Sequence, residues 1–130
     1  MKRLVVERAT DGSAVWAVEV ADSWFARLRG LIGRKSLQPG EGLFFPGTNS
    51  IHMLFMSFAI DCVFVRPTEA GTNGDATEHE VVSVSSNLRP WTGVVWFVRR
   101  ARGAIELGAG SAAEAGVNVG DRLRLVASDI

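Results

Sequence analysis

His52 and Asp61 stand near the two ends of the most hydrophobic stretch of the chain, His52 to Val65, which reads HMLFMSFAIDCVFV. An imidazole titrates near neutral pH and, beside a carboxylate, is the usual acid–base pair of an enzyme. The same two groups could instead hold a ligand in a polar cleft. A carboxylate in so apolar a run must be satisfied, because an unpaired buried charge costs several kcal/mol or is neutralised. Asp61 therefore needs an arginine, backbone N–H groups or water. It either binds a ligand and orients His52, or it accepts backbone N–H bonds at a strand bend, the commoner use of such residues. His52 divides in the same way between a general base and a hydrogen-bonded residue at a strand entry.

Other residues carry weaker signals. Cys62 lies next to Asp61 in apolar surroundings, where burial and negative charge both disfavour the thiolate, so it is read as a core residue and a poor nucleophile. His79 lies between Glu78 and Glu80 and is expected to be a solvated strand-end residue. The two histidines and Asp61 show no metal-ligand spacing, so neither a metal nor another cofactor is expected. Ser36, Ser50, Ser57 and Ser83 show no nucleophile-elbow pattern. Gly108-Ala109-Gly110 lacks a full phosphate-binding fingerprint and reads as a tight turn before a helix. Arg27, Arg29 and Arg34 form a basic cluster whose planar guanidinium groups suit carboxylate or phosphate. The alternative is that one pairs with Asp61 or Glu106 and the others are solvated. Of four tryptophans, Trp24 and Trp96 fit the core and Trp91, after Pro90, is expected at the surface, where aromatics mark contacts. Arg99-Arg100-Ala101-Arg102 could touch an acidic partner or form a solvated turn.

These residues need elements to position them. Strand alternation puts His52, Leu54 and Met56 on one face and Met53 and Phe55 on the other. A straight strand would send His52 and Asp61 to opposite faces. They converge only if the chain bends near Ser57–Ala59, with a second strand from Ile60 to Val65. Elsewhere, strands are predicted at Arg3–Arg8, Val15–Ala21, Gly42–Phe45, Val81–Ser85, Val94–Arg99, Ala104–Leu107 and Arg122–Val126. Asp11-Gly12 signals a hairpin. Trp24, Leu28, Leu31 and Ile32 fall at helical spacing from Ser23 to Gly33, a helix expected to pack across one opening of a barrel. A short helix is predicted over Ser111–Ala115 with Ser111 as its N-cap. Pro67 to Ala76 reads as a loop.

Totals set the frame. The 130 residues suit one domain, 1–130, without a linker or a second domain. Lys plus Arg and Asp plus Glu number 14 each, and this balance speaks against a nucleic-acid binder. One cysteine permits no internal disulfide. The N-terminal apolar run is too short for a signal peptide, and no run reaches the ~20 residues that span a bilayer. A cytoplasmic protein without membrane contact is expected. Many short strands punctuated by glycine, with one or two short helices packed on them, point to a mostly β (α+β), barrel-like fold.

Three patches, RLRGLIGRKSL (Arg27–Leu37), HMLFMSFAIDCVFV (His52–Val65) and AIELGAGSAAEAGVNVGDRL (Ala104–Leu123), occur in an order that resembles the bacterial and archaeal family called domain of unknown function 192. The resemblance implies a small, mostly β domain and no established activity, cofactor or substrate. It also singles out Arg27 and Arg34 within the basic cluster. Where family members have polar residues and a proline before the position of Ile60-Asp61, this chain has Ser57-Phe58-Ala59, so its bend forms without proline's fixed φ. The expectation is a non-catalytic binding or accessory domain, with a cleft for a small-molecule or protein ligand near Arg27, Arg34, His52 and Asp61. One rival is a small enzyme using His52 and Asp61. Another is a protein-interaction subunit using Trp91 and a strand edge, which predicts an apolar patch and no pocket.

Overall fold

Strand β1 (Arg3–Arg8) turns through Asp11-Gly12 into β2 (Ala14–Val20), and the two pair antiparallel. The turn is set by Gly12, whose φ of 74° suits glycine, and by Asp11, whose carboxylate accepts the Ser13 N–H and hydroxyl. This hairpin begins the architecture seen in a computed structural model, which describes residues 2–21, 37–38, 40–53 and 56–128. The predicted helix Ser23–Gly33, with Trp24, lies outside the described residues.

The remaining strands are β3 (Glu41–Pro46), β4 (Ile51–His52), β5 (Ile60–Asn73), β6 (Ala76–Leu88), β7 (Val94–Val95), β8 (Gly103–Gly108) and β9 (Arg122–Ser128), with one short helix, α1 (Ser111–Ala115), before β9. Among the described residues, seven strands close a barrel in the order β1-β2-β3-β8-β5-β6-β9, with β9 returning to β1. Of these pairs, β2 with β3 is parallel and therefore requires a crossover connection. Strands β4 and β7 form a separate two-stranded ribbon. The protein is thus a mostly β barrel with a short helix, as its sequence pattern predicts.

Two apolar clusters explain the hydrophobic stretch. Val63 and Val65 of β5, Ile105 and Leu107 of β8 and Phe44 of β3 join residues from every other barrel strand in the interior cluster. Their neighbours Ile60, Cys62 and Phe64, with Ala104, Leu43 and Phe45, form a second cluster on the opposite face. Ile51 and Met53, from the β4 segment, cover it, with Ala101. Both faces of β3, β5 and β8 are therefore buried, and their sequences run apolar without alternation.

Several expectations are revised. Pro67 to Ala76 is not a loop: β5 continues to Asn73 and β6 starts at Ala76, with irregular pairing between Pro67 and Thr72. The Thr72 and Thr77 hydroxyls meet across this arm at 2.9 Å, and Gly74 (φ 65°) makes its turn. The predicted strand Val94–Arg99 shrinks to Val94–Val95, because Phe97 (φ 55°) and Arg100 (φ 70°) take left-handed conformations that leave the β region. Trp96, placed in the core by sequence reasoning, is exposed. His79 is buried rather than solvated. Its ring stands edge-on to Phe44 at a centroid distance of 6.0 Å, and burial lowers its pKa.

Candidate functional site

The chain does break between His52 and Asp61. β4 ends at His52, a bend falls at Phe58, and β5 starts at Ile60. The break separates two environments. His52 is exposed on the β4–β7 ribbon, opposite Val94. Asp61 has 0% exposure and lies on the interior side of β5, next to α1. One carboxylate oxygen accepts the Asn87 N–H at 2.9 Å. The other accepts the Gly110 N–H at 3.1 Å and the Ala112 N–H at 3.0 Å.

This geometry gives Asp61 a definite job. The first turn of a helix leaves backbone N–H groups without intrahelical partners. The residue expected to cap α1, Ser111, does not do so. Its place is taken by Gly110 (φ 92°), which has no side chain to offer. Asp61, from a strand about fifty positions earlier, supplies the missing acceptor. Its third bond fixes Asn87, whose left-handed φ of 52° asparagine tolerates well, at the end of β6. The carboxylate thus ties β5, the end of β6 and α1 together.

Arg27 and Arg34 lie outside the described residues. Among the described residues, no cluster of His, Cys, Asp and Glu could hold a metal ion. Clefts do form there: one of about 380 Å³ lies beside Trp16, Gly40 and Glu114, and neither it nor the two that follow is lined by His52 or Asp61. A polar one of about 580 Å³ lies beside Arg8, Glu78, Asn118, Asp121 and Arg122. Its charges compensate one another. Arg122 bonds Glu78 at 3.0 Å and Glu69 at 3.3 Å, and the Arg8 guanidinium donates to the Ala115 carbonyl. A smaller one of about 310 Å³ lies along β1, β2 and β3.

Glu106 was weighed from the sequence only as a partner for arginine. In the barrel it faces the second apolar cluster, in register with Leu43 and Cys62. Burial pushes its carboxyl up to about 8, so it is protonated at neutral pH. Burial, with Glu106 and Asp61 nearby, also raises the Cys62 thiol well above its ordinary value, which makes it a poor nucleophile.

A different region shows an unusual surface. Between Arg89 and Arg102, Trp91 is 54% exposed, Val94 57%, Trp96 79% and Phe97 70%. The segment reads RPWTGVVWFVRRAR and contains no acidic residue. It is not slack. Trp91 N–H donates to the Met53 carbonyl and Met53 N–H to the Gly93 carbonyl, both at 2.9 Å. Phe97 N–H donates to Ser50 Oγ at 2.9 Å and Val98 N–H to the Asn49 carbonyl at 2.8 Å. A Cβ on Gly93 would come within 2.8 Å of the Arg89 carbonyl and of Met53 Cγ, so this crossing requires glycine. Trp91 (φ 67°) and Phe97 are both held left-handed, a costly conformation for bulky residues. Sequence reasoning found Trp91 and the arginines but missed Trp96 and Phe97. Only the left-handed φ of Phe97 and Arg100 sets the segment apart from an ordinary buried strand.

The model of the family described as "Uncharacterized ACR", domain of unknown function 192, matches residues 5–125. A solved structure of a "putative transcription regulator" from Sinorhizobium meliloti is similar to this chain, with 24% identity and a TM-score of 0.73, over 95% of this chain and 92% of that one. A protein of unknown function from Novosphingobium aromaticivorans is similar as well, with 23% identity and a TM-score of 0.70, over 95% of this chain and 83% of that one. At these identities the likeness speaks to the fold alone. No curated protein is significantly similar to the chain.

Proposed function

Because the chain belongs to the domain of unknown function 192 family, whose membership assigns no activity, we propose a function from the geometry: a non-catalytic binding module that meets its partner on the ridge from Arg89 to Arg102. One observation carries this reading. Trp96 and Phe97, at 79% and 70% exposure, project from a backbone that hydrogen bonds pin to residues 49–53. Large aromatics and arginines are the residue types that dominate binding hot spots, and rigid presentation lowers the ordering cost of association. Left-handed φ at Phe97, whose ring is left largely exposed, favours a role in contact. The commitment of Asp61 to three backbone N–H groups supports a structural role for that carboxylate.

The test is recovery of bound material from extracts of the native host with immobilised protein. Trp96→Ser should lose specific recovery, whereas His52→Ala should retain it. Equal recovery by Trp96→Ser and wild type, or loss with His52→Ala alone, would move the function away from the ridge.

A further inference from the structure

We infer that the ridge docks on an anionic lipid surface, with Trp91, Val94, Trp96 and Phe97 entering the interface and arginines held at headgroup level. The inference rests on the reading of the ridge as the binding surface and names its partner class.

Three observations converge on a lipid. The first is the direction of polarity. In the acyl region of a bilayer, backbone N–H groups must be satisfied from within the protein. Much of this ridge meets that demand: the N–H groups of Trp91, Thr92 and Gly93 donate to the carbonyls of Met53, Pro90 and Arg89. Those of Phe97 and Val98 donate to Ser50 and Asn49. The polar backbone turns inward while the apolar side chains turn outward.

The second observation is composition. Val94 is exposed with the aromatics, and an aliphatic side chain gives no stacking platform for a base. Tryptophan and phenylalanine beside a valine are what an interface of mixed polarity takes up. The third is charge. Arg89, Arg99, Arg100 and Arg102 are all exposed, and no Asp or Glu occurs between Arg89 and Arg102. Only Arg100 has an acidic neighbour among the described residues, Glu80 at 4.0 Å. A chain of zero net charge thus gathers positive charge around its exposed apolar residues, which complements an anionic leaflet. One apolar tip of this size binds reversibly; it is not an anchor.

Co-sedimentation of the full chain with vesicles tests the inference. One set is phosphatidylcholine alone; the other carries phosphatidylserine as about a third of the lipid. Wild-type protein is expected to bind the anionic set at low salt at least about tenfold more than the neutral set, with binding weakened by added salt. Trp96→Ser and, separately, the double variant Arg99→Glu/Arg102→Glu should each lose about tenfold, with unchanged melting temperatures. Both alter exposed side chains, so either one tests the inference if the other misfolds. Absence of wild-type binding to anionic vesicles overturns the inference, and so does undiminished binding by both variants. A parallel arm uses a poly-glutamate peptide and a single-stranded oligonucleotide. Ridge-dependent binding to either of these without vesicle binding overturns the lipid assignment and leaves the ridge as the interface. Recovery from host extract that does not depend on Trp96 removes both.

Discussion

The junction at Asp61 and the ridge from Arg89 to Arg102 solve opposite problems. At the junction a charge is buried completely and every bond it can usefully make is made within the fold. At the ridge apolar groups are left in water while hydrogen bonds hold much of the backbone beneath them. The first arrangement lowers the energy of the native state. The second raises it, through exposed aromatic area and left-handed φ at Trp91 and Phe97. The contrast teaches that conspicuous residue chemistry and function need not coincide: the acid in the greasy stretch builds the scaffold, and the surface that costs stability is the one we propose for contact.

The largest expected effect lies at the junction. Asp61→Ala leaves three backbone N–H groups without their acceptor, each worth about 1–3 kcal/mol when buried. A loss of roughly 3–5 kcal/mol in urea unfolding is expected. Asp61→Asn should also lose stability, since its amide can place only one acceptor oxygen among three donors. Full stability in Asp61→Asn, together with lost binding, would reverse the roles assigned to the two regions.

Next is the pH dependence set by Glu106. Its carboxyl in the native state, at about 8, lies above the ordinary value of 4.5. The native state therefore holds the proton more tightly than the unfolded chain. The stability this contributes is fully present below pH 4.5 and is lost as pH rises through about 8. His79 works from the other side. Its pKa is lowered by burial, so stability is lost as pH falls below its ordinary 6.5. Melting curves should show Glu106→Gln flattening the decline between pH 4.5 and about 8 while keeping the loss that His79 causes on acidification. An unaltered decline in that variant would assign it to another group.

The ridge supplies the smallest effects on stability. Trp96→Ser should shift unfolding by no more than about 0.5 kcal/mol, as expected for an exposed position, while removing binding. Phe97→Gly releases a left-handed residue and should stabilise the fold by up to about 1 kcal/mol. A gain in stability joined to a loss of binding would be the sharpest statement of the contrast. Destabilisation by Phe97→Gly would mean that the ring packs against something in the native state.

Much of the barrel was legible from period and punctuation. Arg3–Arg8 was read with its observed bounds, and Asp11-Gly12 announced its hairpin, because both are local signals. The parity of His52 and Asp61 predicts a break before Ile60 if the two are to converge; the break is there, but it parts them instead. What escaped depends on distant partners. Ser111 has the right chemistry for a cap, yet the acceptor comes from β5, which no local window contains. Glu106 sits between Ile105 and Leu107 like any outward-facing strand residue, and only the second cluster on the barrel's outer face covers that position enough to raise its carboxyl. Phe97 and Trp96 look like core residues because hydrophobicity says nothing of φ. The arginines Arg27 and Arg34 lie outside the described residues.

The seam between β1 and β9 sets how the molecule comes to exist at all. Arg3 stands opposite Ser128, so this ladder joins partners separated by nearly the whole chain. Closing so long a loop is entropically slow, and barrels of such remote pairing fold in milliseconds to seconds rather than microseconds. Until that ladder zips, both terminal strands present unpaired edges to any neighbour. Refolding yield should therefore fall with protein concentration far more steeply than native solubility does, because the vulnerable species is the open sheet and not the finished barrel.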